Sequence, residues 1–260
     1  MRIAVYQCEP WPIEVAANLD RLARAAGEAA SQGADLLLCP EMFLTGYNIG
    51  GPAARRLAEG RDGASASTVA EIARDSRLAI LYGYPELGAQ DTVYNAVQLV
   101  GSDGSSLANY RKTHLFGELD RSMFSASAQG SSVLEVGGWR LGMLICYDVE
   151  FPENVRRLAL AGADLILAPT ANMVPYEVVA TTIVPARAFE NQVYVAYANY
   201  CGSEGQIHYC GLSCITAPDG SDVARAGQGE TVIVGDLDRE RMAASRRINT
   251  YLADRRPELY

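Results

Sequence analysis

Histidine is almost missing from this chain: His114 and His208 are the only two in 260 residues. A Ser-His-Asp hydrolase has little to draw on, and a papain-like Cys-His pair is unattractive for the same reason. Any nucleophile here must find its base elsewhere, and a carboxylate is the natural candidate. Basic residues are also short, 22 Lys and Arg against 31 Asp and Glu, for a net charge of −9. That balance argues against a nucleic-acid partner, because phosphate contact needs a basic patch. It is mildly favourable to a cationic substrate, although net charge speaks mostly to solubility. Apolar runs fall well short of the ~20 residues that a membrane span needs, so no membrane partner is expected. The start, Met1–Tyr6, reads as a strand rather than a secretory signal. Low-complexity segments and charged linkers are lacking as well. The length fits one large domain or two small ones, and 1–260 is taken as one domain with ample core. The six cysteines follow no disulfide framework, which suggests reduced thiols in the cytoplasm. Cys201, Cys210 and Cys214 cluster around His208, yet the spacing matches no zinc pattern, so no metal is expected.

What is present centres on Leu141–Glu153. A short apolar run ends at Cys146, Pro152 follows six residues later, and apolar periodicity resumes from Val155 to Leu160. This reads as strand, tight turn and helix, with Cys146 at the turn. A thiol there is held out from the backbone near a helix N-terminus, whose dipole favours a thiolate. The alternative is a buried cysteine behaving as a small hydrophobe.

Around that stretch, strands and helices alternate. Ile3–Gln7 reads as a strand. Glu14–Ser31 reads as a helix whose apolar face is Val15, Leu19, Leu22, Ala26 and Ala30, with Asn18, Arg21 and Arg24 opposite. Asp35–Pro40 is an apolar strand with Glu41 at its C-terminal end, where open sheets place active sites. Gly33–Pro40 (GADLLLCP) is echoed by Gly162–Pro169 (GADLILAP), which suggests two pseudo-equivalent β-α halves facing each other. Later strands pair as hairpins, at Asp103-Gly104 and Gly137-Gly138. Thr181–Asn191 and Arg239–Arg247 read as helices. Both patterns fit an α/β architecture of two sheets, each covered by helices on its outer face.

Three ordered blocks carry a resemblance: Pro40–Tyr47 (PEMFLTGY), Tyr110–Phe116 (YRKTHLF) and Cys146–Glu153 (CYDVEFPE). They resemble the signature blocks of the nitrilase superfamily of carbon–nitrogen hydrolases. Arg187–Asn191, Tyr194–Asn199, Gly211–Ser213 and Pro218–Gly220 support it, and the likeness covers nearly the whole chain. The resemblance implies a four-layer α-β-β-α sandwich of two mixed sheets and a Glu41, Lys112, Cys146 triad without a cofactor. In that scheme Glu41 takes the thiol proton, and Lys112 with the Tyr147 backbone N–H stabilises the oxyanion. A fourth member of the family's site is a glutamate soon after the lysine, here Glu118, with a structural salt bridge as the alternative. Arg187, Glu190 and Asn191 are read as a structural network, and His114 as a packed, hydrogen-bonded histidine.

The Cys-Tyr-Asp wording is that of amidases and carbamoylases rather than true nitrilases. Glu150 stands where many amidase relatives carry Arg, which would suit a distal ammonium instead of a carboxylate. The plainer alternative is that Glu150 caps the following helix. The wording of Phe43–Ile49 and Leu115–Phe124 resembles the branch that hydrolyses 5-aminopentanamide in lysine breakdown. Glu150 and Asp120 are candidates to meet the ammonium, with Tyr47 and Phe116 beside Tyr147 as aromatic walls. Other small amides, namely dicarboxylate monoamides of the ω-amidase kind or N-carbamoyl amines, are the alternatives. A silent scaffold is the reading from another class, and the intact triad argues against it. The family pairs subunits near the nucleophile helix, so at least a homodimer is expected. Its interface would take in the tail, residues 248–260, anchored by Tyr251, Leu252, Leu259 and Tyr260.

Overall fold

In the computed structural model, which describes residues 1–259, two six-stranded sheets lie face to face. The first begins with β1 (Arg2–Gln7), β2 (Leu36–Leu38), β3 (Ala79–Leu87), β4 (Val93–Val100) and β5 (Ser106–Arg111). The second holds β6 (Leu134–Val136), β7 (Trp139–Met143), β8 (Leu165–Pro169) and β9 (Tyr194–Ala198). A two-residue hairpin, β10 (Ser203–Glu204) and β11 (Ile207–His208), interrupts the chain before β12 (Cys214–Thr216) and β13 (Asp222–Arg225) complete that sheet. The last strand, β14 (Thr231–Asp236), returns to pair with β1.

Both sheets are mixed. Parallel β1-β2-β3 is matched by parallel β7-β8-β9, and the outer strands pair antiparallel. The helices are α1 (Val15–Ser31), α2 (Gly51–Leu57), α3 (Ala64–Ser76), α4 (Gly117–Arg121), α5 (Pro152–Leu160), α6 (Val184–Asn191) and α7 (Arg239–Ile248). Alternation along the strands divides the core. Ile3, Val5, Leu36 and Leu38 meet Leu141, Met143, Leu165 and Leu167 between the sheets. Ala4 and Leu37 face α1 and α3 on one outside, while Ile166 and Val195 face α5 and α6 on the other. This is the expected four-layer sandwich.

Two local expectations are corrected. On α1 the buried side is Asn18, Arg21, Leu22, Ala25, Ala26 and Ala29, so Asn18 and Arg21 do not face solvent. Asn18 Nδ2 donates to the Trp11 and Leu44 carbonyls, and Arg21 stacks 4.3 Å over Trp11 and pairs with Glu230. Polar partners, rather than hydrophobicity, set this face. The helix expected from Thr181 begins with a wider-turn segment, Val179–Ile183, and α6 proper starts at Val184 because Pro185 has no N–H to continue the ladder. As expected, Cys146 lies at the turn: a short 3₁₀ turn, Cys146–Glu150, precedes α5, which starts at Pro152. Gly137 and Gly138, with φ of 57° and 77°, make the two-residue turn that joins Val136 to Trp139.

No described helix is long and apolar enough to cross a membrane. Leu259 is exposed at the end of the tail, Tyr251 packs edge-on against Phe189, and Tyr260 lies outside the described residues.

Candidate active site

The site forms where the C-terminal ends of the two parallel strand sets meet. Glu41 lies three residues past β2, and its N–H donates to the Thr170 carbonyl just past β8, which ties the two sheets together. Lys112 follows β5, an edge strand paired with β4 alone, and its N–H donates to the Asn95 carbonyl at 2.8 Å. Cys146 follows β7 with φ of 48°, a left-handed conformation that a non-glycine residue adopts only at a cost. That elbow turns the side chain out of the sheet.

Glu41 and Lys112 are wholly buried. Lys112 Nζ donates to Glu41 Oε1 at 2.7 Å and to Asp120 Oδ2 at 2.6 Å. Asn95 Nδ2 also donates to Glu41 Oε1, at 2.6 Å. Glu41 Oε2 has no hydrogen-bond partner among the described residues and is free to take a proton. Burial raises the Glu41 carboxyl above the usual carboxylate range, and Asp120 adds to this against the pull of Lys112. Burial works against a charged Lys112, but Glu41 and Asp120 outweigh it and hold the ammonium protonated. Cys146 is half-buried. Burial and then the Glu41 charge push its thiol up, against Lys112, the Thr170 side chain and the Ala171 backbone. The expected helix-dipole depression is therefore not what governs this thiol. The thiol and the Glu41 carboxyl are both shifted toward their protonated forms.

The carboxylate on Lys112 is Asp120, not Glu118. The two sit on α4, where residues two apart face different ways. Glu118 is exposed, whereas Asp120 is wholly buried and accepts from the Phe116 N–H at 2.8 Å as well as from Lys112. This engages one Asp120 oxygen, Oδ2, with the lysine.

Tyr47 is buried with its ring 5.8 Å from Lys112 Nζ. Phe116 meets Tyr147 edge-on at 5.5 Å and Tyr176 at 5.8 Å, and Tyr147 meets Phe151 at 4.9 Å, so aromatic rings surround the residue after the nucleophile. Tyr147 follows Cys146 at the opening of the 3₁₀ turn, where backbone N–H groups lack partners within the helix. Glu150 is half-buried, and burial raises its carboxyl against the charges of Lys112 and Arg187. Arg187 donates to the Val149 and Glu150 carbonyls and to Glu190, a brace for the nucleophile turn. Asn95, Thr170, Ala171 and Tyr176 were not singled out from sequence. Asn95 had a visible signal, a polar side chain inside the apolar run Val93–Val100. No group of metal-ligating side chains occurs among the described residues.

The site thus sets a wholly buried lysine between two carboxylates, close to a thiol at a strained elbow. The sequence profile of the carbon-nitrogen hydrolase family matches residues 2–247, and the chain belongs to that family, within the nitrilase superfamily. It is 62% identical over 260 residues to a "Hydrolase in pqqF 5'region" of Pseudomonas protegens, covering all of this chain and 90% of that protein. An (R)-stereoselective amidase of Pseudomonas sp. is 36% identical over 257 residues, 98% of this chain and 92% of that one. Among solved structures, a double mutant of the amidase from Nesterenkonia sp. AN1 in complex with acrylamide superposes with a TM-score of 0.91 at 36% identity. That match covers all of this chain and 95% of the other. The chain is an amidase of this superfamily.

Proposed function

We propose that this amidase cleaves a short linear amide with a terminal ammonium, 5-aminopentanamide fitting best, through a thioester on Cys146. The observation that carries the reading is the Lys112 ammonium bonded at once to Glu41 and Asp120 beside Cys146. Glu41 accepts the thiol proton as sulfur attacks the amide carbon. Lys112 and the Tyr147 N–H hold the oxyanion, and Asp120 keeps the ammonium in place. The C–N bond breaks as Glu41 returns the proton to nitrogen, and ammonia leaves. Glu41 then takes a proton from water, whose hydroxide adds to the thioester. Collapse frees the carboxylic acid and restores the thiol. The acrylamide held by the Nesterenkonia amidase supports a small amide in this position.

Charge supports the amine end. Glu41 and Asp120 set two carboxylates against one Lys112, and Glu150 adds a third acid within its electrostatic reach. A site with surplus negative charge suits an ammonium and opposes the second carboxylate of a dicarboxylate monoamide. In this reading Glu150 meets the ammonium, with Phe116 and Tyr147 lining the way. Glu150→Gln is expected to raise KM for 5-aminopentanamide by about tenfold, roughly 1.4 kcal/mol, and to leave pentanamide nearly unchanged. Equal losses on both would show that Glu150 supports the turn instead.

The remaining expectations join this proposal. Six free cysteines, five of them buried, suit the cytoplasm. A homodimer is supported by exposed Leu160, Ile248 and Tyr251. Leu160 and Tyr251 border a cavity of about 740 Å³ shared by α5 and the tail. Light scattering at micromolar concentration should give at least twice the chain mass, and a monomer would refute the pairing.

A further inference from the structure

Lys112 and Cys146 must keep a fixed separation through two acyl-transfer steps, yet they sit on different sheets. The strand that carries Lys112 lies at the edge of its sheet, with β4 as its sole ladder partner. No backbone ladder joins it to β7. Something else has to set the distance between the lysine and the thiol.

Asp148 is placed to do so. It is wholly buried two residues after the nucleophile. Its carboxylate accepts from the segment around Lys112 through Tyr110 Oη at 2.9 Å, Thr113 Oγ1 at 2.8 Å and the His114 N–H at 2.9 Å. His114 Nδ1 lies 2.8 Å from the same Oδ1, with its ring stacked on Phe151 at 4.1 Å. On the nucleophile side the carboxylate accepts from the Ile145 N–H at 3.2 Å, and the Asp148 N–H returns a bond to the Ile145 carbonyl at 3.0 Å. One carboxylate thus gathers residues on both sides of Lys112 and the residue just before Cys146. Asn154 Nδ2 on α5 donates to the Asp148 carbonyl at 2.9 Å and fixes the turn from behind.

We propose that Asp148 is a positioning residue that sets the register of the Lys112 ammonium against the Cys146 thiol by clamping the edge strand to the nucleophile turn. The inference rests on the amidase mechanism above and touches no substrate atom. Its consequence is specific. Loosening the clamp misplaces the charge that stabilises the thiolate and the oxyanion, and leaves the substrate's distal contacts alone. A misplacement of about 1 Å can cost on the order of 10²-fold in rate.

The test uses the full-length protein with Asp148→Asn and Thr113→Val. In Asp148→Asn, either amide orientation turns an NH₂ toward donors that now meet an oxygen. Thr113→Val keeps the carboxylate and nearly the same shape, and removes one donor. Turnover of a simple amide, Cys146 alkylation by iodoacetamide and the thermal midpoint are measured together. Asp148→Asn should lower kcat by about 10²-fold with KM within about threefold, and should slow alkylation. Thr113→Val should show the same pattern at several-fold. A purely structural role would lower the thermal midpoint and leave kcat and alkylation of the folded fraction unchanged, and that result overturns the proposal. If Asp148→Asn does not fold, Thr113→Val decides the matter by the same readings. A wild type that releases no ammonia from any amide would instead refute the amidase mechanism, with the alkylation rates still judging the clamp.

Discussion

Cys146→Ala is expected to abolish amide turnover, by about 10⁴-fold or more, while the protein stays folded. The chemistry has no substitute nucleophile. Cys8, Cys39, Cys201, Cys210 and Cys214 are all buried, and burial raises each of their thiols. Stability should barely change, because alanine keeps the backbone conformation and removes one half-buried sulfur. Cys146→Gly sharpens the point. With φ of 48° at this position, glycine relieves strain worth on the order of 1 kcal/mol, so this variant should be inactive yet at least as stable as wild type. Ammonia release and thermal unfolding measure both halves. Activity surviving in Cys146→Ala would remove the nucleophile assignment.

Lys112→Met should damage activity and stability together. In the proposed mechanism Lys112 faces the oxyanion, and removing such a cation costs on the order of 10²–10³-fold in kcat. It also strands Glu41 and Asp120, both wholly buried, without their shared partner. Breaking a buried ion pair from one side costs about 3–5 kcal/mol. The sign with pH follows from the carboxyls. Loss of the ammonium lifts the folded-state proton affinity of Glu41, already raised by burial, further above that of the unfolded chain. The deficit is then complete at neutral pH and shrinks as pH falls and Glu41 takes up a proton. Urea unfolding at pH 7 and pH 5 should show the gap from wild type narrowing at the lower pH. Glu41→Gln is the contrast, losing the base at about 10²–10⁴-fold while its amide oxygen can still accept from Lys112 and Asn95.

Where side-chain period and chemistry coincide, the sequence is legible. The apolar run at Leu36–Leu38 is buried on both faces and became a central parallel strand, and its echo at Leu165–Pro169 took the matching place in the second sheet. Glu41, Lys112 and Cys146 stood out by their order in the three blocks that carry the family resemblance, Glu41 and Cys146 also by following apolar runs. What was hidden depends on tertiary partners. Asn18 and Arg21 look like a solvent face until the Leu44 carbonyl and Glu230 are found across the fold. Asp120 and Glu118 are two acids on one short helix, and their spacing alone does not say which turns inward. Thr170 and Ala171 approach Cys146 only because β8 lies beside β7. The hairpin Ser203–His208 is too short for any alternation to show.

Peptide mapping by mass spectrometry, after trapping with a slowly hydrolysed amide, tests whether a thioester forms on Cys146. One acyl group per chain is expected, located on the peptide containing Cys146, with one ammonia released for each acyl group bound. Acylation at any of the other five cysteines, or ammonia released steadily with no adduct on Cys146 under trapping conditions, would contradict it.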